Sequence, residues 1–280
     1  MSCVDCKDFD AAVTKMREFF KMKGFVEVHP QNRLSILAAC EDPTTMATYN
    51  YAGNVWPLPQ TGQMWLEHYL LQNPEEKGFF CVSTSYRNEP NPVKGRHDLI
   101  FPMFEFESRG NMEDMINLEK EFLEYLGFKK EMYPDNLYPE GDYNDVADKY
   151  QVNILEHEHE TQLEKDHGPV FFLKNFPERT SPFWNMGRND DGETAKKVDV
   201  IIHGIETIGS AERSCDKEMM RKQFNEISNG EYANMLFSQF SRERVLGEMN
   251  DFLSKEFFPR FGGGIGMTRM IRAMKLSNLI

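Results

Sequence analysis

Apolar residues at the start of the chain recur at helical spacing. Between residues 8 and 23 they lie three and four positions apart, which places them on one face of a predicted helix. Gly24 ends this helix, and the segment FVEVHP at 25–30 then alternates apolar and polar residues as a half-buried strand does. Pro30 closes the strand because proline has no N–H group to donate to a neighbouring strand. The chain is therefore predicted to open with a long helix and a short strand.

The next part of the chain predicts a helix followed by a hairpin. Residues 63–72 are predicted to form the helix, and FFCVSTSYRNE from Phe79 is predicted to be a strand that enters a charged turn. The segment PNPVKGRHDLI at 90–100 contains two prolines, a glycine and several basic side chains, which indicates an exposed loop. FPMFEFES at 101–108 returns as a strand. We therefore expect a hairpin with a long basic tip.

A further helical pattern covers residues 112–127. Residues 134–168 are acidic and rich in loop-forming residues, with one helix predicted near 144–155. Within this region, His157 and His159 alternate with glutamates. We interpret that alternation as a solvated stretch rather than a metal site.

Four further patterns complete the chain. VFFLKNFP is predicted to be a strand, and KVDVIIHGIETIGSAER predicts two strands joined by a glycine turn. Residues 214–257 are predicted to be helical, and FGGGIGMTRMIRAMKL places a glycine run directly before a helix. Strands that are joined in hairpins and flanked by helices indicate one α+β domain over residues 1–280, built around an antiparallel sheet.

Composition narrows the class of protein. No apolar run among the 280 residues approaches the roughly 18 that span a bilayer, and the first residues carry acids where a signal peptide needs bases. We therefore expect a cytoplasmic protein without a membrane partner. Acidic residues outnumber basic ones, 45 to 32, which gives a net charge of -13 and does not favour nucleic acid as a partner.

The predicted hairpin carries the first candidate chemistry. Its tip concentrates basic or potentially basic side chains: Arg87, Lys94, Arg96 and His97. Arginine suits bidentate contact with phosphate, and a loop with several bases can close on a triphosphate. The alternative is a solvated loop with incidental bases. Phe101, which could stack on a purine, and Glu89, which could accept from its amino group, favour the binding site.

Two further features point to the same kind of ligand. Asp199 and Glu206 lie on adjacent predicted strands, where two carboxylates can hold Mg²⁺ on a polyphosphate. Arg213 follows a predicted turn and would clamp a carboxylate if it points into a pocket. The glycine run precedes a helix with Arg269 near its first turn, although packing of strand against helix also explains the glycines. Surface acids are common in so acidic a chain, so the carboxylate pair alone is weak evidence.

Taken together and in this order, these segments resemble the signature motifs of class II aminoacyl-tRNA synthetases, in the asparaginyl and aspartyl branch. The helix with GFVEVHP resembles motif 1. SYRNE, GRH, Phe101 and FEFE resemble motif 2, and FGGGIGMTR resembles motif 3. PQTGQMWLE, RNDDGETAKKVDV and GIETIGSAER are also similar to segments of asparaginyl enzymes. The similarity runs from about Asp8 to Arg269 and implies the fold of that family.

The resemblance implies roles for the hairpin residues. Arg87 would bind the α-phosphate of ATP and the carboxylate of the amino acid. Glu89 and Phe101 would hold the adenine, and Arg96 or His97 would reach the outer phosphates.

The resemblance also implies roles on the remaining strands. Arg269 would stack on the adenine and hold the γ-phosphate, while Asp199 and Glu206 would hold Mg²⁺ and ATP. Arg213 would pair with the side-chain carboxyl or amide of the amino acid. Four further residues would surround its α-amino end and side chain: Thr61, Gln63, Glu67 and Glu105.

These roles imply a ligase reaction in which the amino-acid carboxylate attacks the α-phosphorus of ATP. The products are an aminoacyl-adenylate and pyrophosphate, and catalysis is positioning plus charge neutralisation by Arg87 and Mg²⁺. Leu66 followed by Glu67 is similar to asparaginyl enzymes, because aspartyl enzymes have a lysine at position 66. Aspartate and asparagine both remain candidate substrates.

Fewer than ten residues precede the first predicted helix, too few for the family's anticodon-binding domain. With the net charge, this argues against tRNA as a partner. We therefore expect transfer to a non-tRNA acceptor such as ammonia, as in the asparagine synthetase related to asparaginyl-tRNA synthetase. The alternatives are a reduced tRNA ligase and a non-catalytic paralogue. The motif 1 resemblance also implies a homodimer.

Overall fold

A large twisted sheet organises the chain, which is described by a computed structural model over residues 4–29, 35–38, 45–92 and 98–280. The strands are, in chain order, β1 (Val26–Glu27), β2 (Thr48–Tyr51), β3 (Asn54–Pro57), β4 (Gly78–Tyr86), β5 (Ile100–Arg109), β6 (Glu140–Asp142), β7 (Val170–Pro177), β8 (Thr194–Ile202), β9 (Ile205–Arg213) and β10 (Arg260–Gly266). The helices are, in chain order, α1 (Cys6–Met22), α2 (Gln63–Gln72), α3 (Met112–Leu126), α4 (Tyr143–Lys149), α5 (His157–His167), α6 (Lys217–Glu226), α7 (Glu231–Phe240), α8 (Arg242–Leu253) and α9 (Met267–Leu276).

Among the described residues, the main sheet has eight strands in the order β1-β4-β5-β10-β9-β8-β7-β6. Neighbours from β4 to β7 pair antiparallel, and only the two edge pairs, β1 with β4 and β6 with β7, are parallel. Helices flank the sheet. The predicted α+β architecture around an antiparallel sheet is therefore confirmed.

One face of the sheet is covered by α1, α3 and α9 and is strongly apolar. The spacing of apolar residues in α1 buries Val13, Met16, Phe19 and Phe20 there, as predicted. Alternate residues of β4 and β5 meet them, because successive side chains of a strand point to opposite faces. Phe20 contacts the rings of both Phe80 and Phe104, among others. The polar side chains of β4, β5 and β9 are thereby directed to the other face.

The two predicted hairpins are present. Strands β4 and β5 pair from Gly78 with Ser108 to Tyr86 with Ile100, and residues 93–97 of the predicted loop lie outside the described residues. Strands β8 and β9 are joined at His203 and Gly204, whose φ angles of 48° and 69° form a tight left-handed turn. Helix α2 has the predicted bounds, and the predicted helical stretch 214–257 contains α6, α7 and α8.

Two sequence predictions were wrong in detail. The helix predicted near 144–155 ends at Lys149, and the stretch with alternating histidine and glutamate forms α5 instead. In segment 25–30 the paired residues Val26 and Glu27 are both exposed because they lie at the sheet edge, and the N–H of Val28 also donates to the backbone oxygen of Phe80 at 2.9 Å. Pro30 lies outside the described residues. The glycine run itself is strand β10 in the middle of the sheet, and helix α9 follows it directly, as predicted.

The second face of the sheet carries two smaller bodies. Helix α2 packs against β4, β5 and β10. Helices α6, α7 and α8 form a separate apolar cluster with Trp184 at its centre. A cleft remains between these bodies, and its floor is the polar face of the central strands. No helix among the described residues combines the length and apolarity that a membrane span requires.

Candidate active site

Two adjoining cavities occupy this cleft over β5, β9 and β10. The first, named the Phe101 cavity, is lined by Arg87, Glu89, Asp98, Phe101, Met103, Glu206, Thr207, Gly209, Gly264, Gly266, Thr268 and Arg269. The second, named the Arg213 cavity, is lined by Gln60, Thr61, Gln63, Met64, Arg87, Met103, Glu107, Phe183, Asn185, Met186, Lys197, Glu206, Gly209, Ser210, Arg213 and Gly264. Arg87 and Glu206 line both cavities. A ligand that spans the two would therefore meet these two side chains at its centre.

The Phe101 cavity combines an aromatic ring with several charges. The guanidinium carbon of Arg87 lies 5.9 Å from the centre of the Phe101 ring. Strand β5 presents Phe101 beside Met103, and Glu89 follows the end of β4. An aromatic face with cations at its edge suits a planar, anionic ligand. The structure brings these predicted residues together.

Arg269 reaches the same cavity from the first turn of α9. Its Nη1 donates to the backbone oxygen of Glu206 at 2.7 Å, and the Glu206 carboxylate lies 3.8 Å away. Both side chains are about one third exposed, at 33% and 39%. Arg269 is therefore held at the rim and keeps part of its charge open to a ligand. The predicted Arg96 and His97 lie outside the described residues.

Asp199 and Glu206 converge over Gly209. A Cβ atom at Gly209 would lie 2.9 Å from Glu206 Oε1 and 3.6 Å from Asp199 Oδ1. Lys197 Nζ donates to the other Asp199 oxygen, Oδ2, at 3.1 Å. Among the described residues no group of three or more side chains could hold a metal. The two carboxylates fit Mg²⁺ only if phosphate oxygens and water complete its six ligands.

The glycines of β10 allow buried side chains to approach the strand closely. A Cβ atom at Gly262 would lie 2.0 Å from Glu107 Oε1. At Gly264 it would lie 2.8 Å from Met103 Cε and 2.9 Å from Gln63 Nε2. No side chain can occupy these positions without displacing the cavity lining. The glycine run therefore makes room for side chains around the cavities. Its role is not to form an anion-binding site at the start of a helix.

This packing predicts opposite effects for two glycine replacements. Gly262→Ala should lower the free energy of unfolding by about 1–3 kcal/mol, because Glu107 would have to move. Gly247→Ala should raise it by about 0.5–1 kcal/mol, because Gly247 lies within helix α8 and no atom lies within 4 Å of the added Cβ. Urea unfolding of both variants measures the difference. If Gly262→Ala raised the free energy of unfolding as much as Gly247→Ala does, β10 would tolerate a side chain at position 262.

The Arg213 cavity ends at a buried arginine. Arg213 Nε donates to Glu107 Oε1 at 3.0 Å, and its Nη2 donates to Gln63 Oε1 at 3.0 Å. Thr61 lines the same cavity close to the start of α2. Burial raises the pKa of Glu107 to about 7, and the positive charge of Arg213 opposes that rise. The cavity thus offers an arginine, an amide and a hydroxyl to a small polar ligand.

The other two predicted residues of this group lie beneath the cavity and do not line it. Glu67, 1% exposed, accepts from Arg260 Nε at 3.0 Å. Glu105 accepts from Thr61 Oγ1, and the backbone N–H of Gly62 donates to it at 2.9 Å. Burial raises the pKa of Glu105, and hydrogen bonds from Ser83 and Thr61 oppose the rise. Both carboxyls therefore orient side chains that do line the cavity.

A family profile decides where this chain belongs. Residues 7–280 match the family of tRNA synthetases class II (D, K and N). The chain belongs to this family. The match extends from the first turn of α1 to the end of α9, so the resemblance expected from the motifs is confirmed, and the family is one of ligases.

Relatives in both branches of this synthetase family are similar to the chain. The aspartate–tRNA(Asp) ligase of Pyrobaculum aerophilum is 26% identical over 241 residues, which cover 76% of this chain and 53% of that protein. The asparagine–tRNA ligase of Cytophaga hutchinsonii is 28% identical over 269 residues, which cover 76% and 57%. The chain spans about half the length of these relatives.

Solved synthetase structures share the fold. Asparaginyl-tRNA synthetase from Pyrococcus horikoshii, complexed with asparaginyl-adenylate, superposes with a TM-score of 0.78 at 19% identity. The superposition covers 95% of this chain and 64% of that one. Aspartyl-tRNA synthetase from Entamoeba histolytica gives 0.70 at 18% identity and covers 95% and 54%. The expected class II synthetase core is therefore confirmed as the fold.

Sequence reasoning missed three charged residues of this site, and one of them, Asp98, lines the Phe101 cavity. Glu107 and Lys197 line the Arg213 cavity, but neither was singled out. Alternation along a strand could have found them, because Glu107 shares its face with Glu105 and Lys197 shares its face with Asp199. Asn185, which donates to Glu67 Oε1 at 3.3 Å, lies in an irregular segment where no periodicity points to it.

Proposed function

We propose that this chain activates aspartate or asparagine with ATP, and forms an aminoacyl-adenylate and pyrophosphate. The observation that carries the proposal is the position of Arg87 where the two cavities meet. The Phe101 cavity has the aromatic ring and cations that suit ATP, and the Arg213 cavity has the arginine and amide that suit a small polar amino acid. Their junction is where a carboxylate and an α-phosphate would come together.

The reaction needs no nucleophilic side chain. A carboxylate oxygen of the amino acid attacks the α-phosphorus, the bond to the bridging oxygen breaks, and pyrophosphate leaves. Arg87 can contact the anionic groups on both sides of that bond, and Arg269 can hold the outer phosphates. Asp199 and Glu206 would hold Mg²⁺, which supplies further neutralisation of the phosphates. Catalysis then consists of positioning and preorganised charge.

The relatives support both aspartate and asparagine as candidate substrates, because aspartate–tRNA and asparagine–tRNA ligases are among them. Arg213 can donate to the oxygen of either side chain. Lysine is absent from position 66, where Leu66 is fully buried beside the apolar residues of β4. The two substrates are therefore distinguished by the charge of the Arg213 cavity rather than by its size.

Amino-acid-dependent ATP–pyrophosphate exchange, measured with each of the twenty amino acids and Mg²⁺, tests this function. We expect exchange with aspartate, asparagine or both, and none above background with the others. Omission of Mg²⁺ should abolish it. Exchange with no amino acid would reject activation and favour a non-catalytic paralogue.

The acceptor of the acyl group is a separate part of the proposal. Transfer to a non-tRNA acceptor such as ammonia agrees with the net charge of -13. Transfer to tRNA is the second candidate, because the relatives are tRNA ligases, and the expectation against tRNA finds no support in them. Formation of free asparagine from aspartate and ammonia would support the first. Acid-precipitable aminoacyl-tRNA from the same preparation would support the second.

We also propose that the chain forms a homodimer through α1 and β1, the segment that resembles motif 1. Met22 is 65% exposed and Val26 is 40% exposed there, so apolar surface is available for a partner. Light scattering at two concentrations measures the mass in solution. A monomer mass at both concentrations would reject the dimer.

A further inference from the structure

Glu107 and Arg213 form an ion pair at the end of the Arg213 cavity. Both are almost completely buried, at 0% and 4% exposed, and both line that cavity. Arg213 donates to Oε1 of Glu107 through both Nε and Nη2. The second oxygen, Oε2, has no hydrogen-bond partner among the described residues. A proton on Oε2 would therefore break no hydrogen bond that the carboxylate accepts.

The charges around this pair come from neighbouring elements. Glu67 on α2 lies 3.9 Å from Arg213 Nε and accepts from Arg260 of β10 at 3.0 Å. The two arginines and two glutamates of this floor therefore compensate each other when both carboxyls are ionised. Protonation of Glu107 would leave these four side chains with two positive charges and one negative charge.

Other charged groups lie near the pair, among them Arg87 and Glu206, which line the same cavity. Lys197 of β8 lines the same cavity, but its ammonium group donates to Asp199. Glu105, two residues from Glu107 on β5, is engaged by Ser83, Thr61 and Gly62.

We propose that the protonation state of Glu107 selects between asparagine and aspartate as the substrate of this site. The proposal rests on the activation function proposed above. With Glu107 ionised, the pair is neutral, and a neutral side-chain amide is the better ligand for Arg213. With Glu107 protonated, Arg213, Arg260 and Glu67 together have a net positive charge, and the side-chain carboxylate of aspartate is the better ligand for Arg213. Glu107 acts through Arg213 and is a positioning residue, not a catalytic one.

The pH range over which the preferred substrate would change is set by the pKa of the Glu107 carboxyl. Burial raises the pKa of Glu107 to about 7, so its ionisation changes near neutrality. Free aspartate loses its side-chain proton near pH 4, so its charge is constant above about pH 6. Binding of aspartate is therefore accompanied by uptake of one proton at Glu107 when the pH is above 7. Binding of asparagine is not.

The test is the ratio of kcat/KM for aspartate to kcat/KM for asparagine in ATP–pyrophosphate exchange, measured between about pH 6 and pH 8.5. In the unmodified protein this ratio should fall about tenfold for each pH unit above pH 7 and level off below it. Glu107→Gln should give a high ratio that does not change with pH. The isosteric amide keeps the shape of the side chain under Gly262.

Glu248→Gln is the matched control, because burial also raises the pKa of Glu248. Glu248 accepts from Ser35 and from the N–H of Ile36, and it lines neither cavity. This variant should keep the ratio and pH slope of the unmodified protein.

Several outcomes would overturn the proposal. Exchange with both amino acids at a ratio that is constant from pH 6 to pH 8.5 would reject it and leave the activation function intact. Activation of only one of the two at every pH would also reject it. If Glu107→Gln does not fold, the pH profile of the unmodified protein still decides. Exchange with neither amino acid would reject the activation function itself.

Discussion

Arg87→Ala should lower kcat/KM for amino-acid-dependent ATP–pyrophosphate exchange by about a thousandfold or more, roughly 4 kcal/mol of transition-state stabilisation. Arg87 lines both cavities and lies beside Phe101. Its guanidinium can contact the attacking carboxylate and the α-phosphate together, where negative charge accumulates in the transition state. Steady-state exchange with aspartate or asparagine measures the loss.

Two controls separate this role from a general loss of positive charge. Arg87→Lys keeps the charge but loses the planar fork, so we expect an intermediate loss of about 10- to 100-fold. Arg179→Ala removes an exposed arginine that contacts Asn144 and Asn153, outside both cavities, and should leave the rate unchanged. A loss below tenfold for Arg87→Ala would show that Arg87 does not contact the reacting groups.

Arg260→Ala should lower the free energy of unfolding by about 3–5 kcal/mol, because it leaves a buried carboxylate without its partner. Arg260 is 0% exposed and Glu67 is 1% exposed, and Nε lies 3.0 Å from Oε2. The carboxylate of Glu67 would then depend on Arg213, which is 3.9 Å away. Urea unfolding, followed by far-ultraviolet circular dichroism, measures the change.

The matched control is an exposed ion pair. Lys222 and Glu226 lie one helical turn apart, with 3.9 Å between Nζ and Oε2 and side chains 62% and 58% exposed. Lys222→Ala should change stability by less than about 0.5 kcal/mol, because solvent screens such pairs. A loss below about 1 kcal/mol for Arg260→Ala would show that Glu67 is neutralised or solvated without its partner.

Elements with strong periodicity were predictable from the sequence. Helix α1 and the hairpin of β4 and β5 follow their patterns because one face of each is buried against the same apolar core. Helix α5 was missed because only Leu163 of its residues is buried. Its start is fixed by reciprocal hydrogen bonds between Glu156 and His159 rather than by an apolar stripe.

The candidate site was predictable as a set of residues but not as a network. The order of the motifs predicted that Arg87, Phe101 and Arg269 share one site. They line one cavity because the strands that carry the motifs are neighbours in the sheet. The pairing of Glu67 with Arg260 joins residues 193 positions apart, and no local pattern encodes it. Likewise, alternation places Glu105 and Glu107 on one face, but only pairing with β10 places Glu107 opposite Gly262.

The most direct test of adenylate formation follows an oxygen atom of the substrate. Aspartate or asparagine with an ¹⁸O-labelled α-carboxylate is incubated with ATP, Mg²⁺, pyrophosphatase and hydroxylamine as acceptor, and the AMP is analysed by mass spectrometry. Attack of the carboxylate on the α-phosphorus predicts AMP that carries one ¹⁸O atom, because acyl transfer leaves the bridging oxygen on phosphorus. Unlabelled AMP, or ADP as the nucleotide product, would contradict activation through an aminoacyl-adenylate.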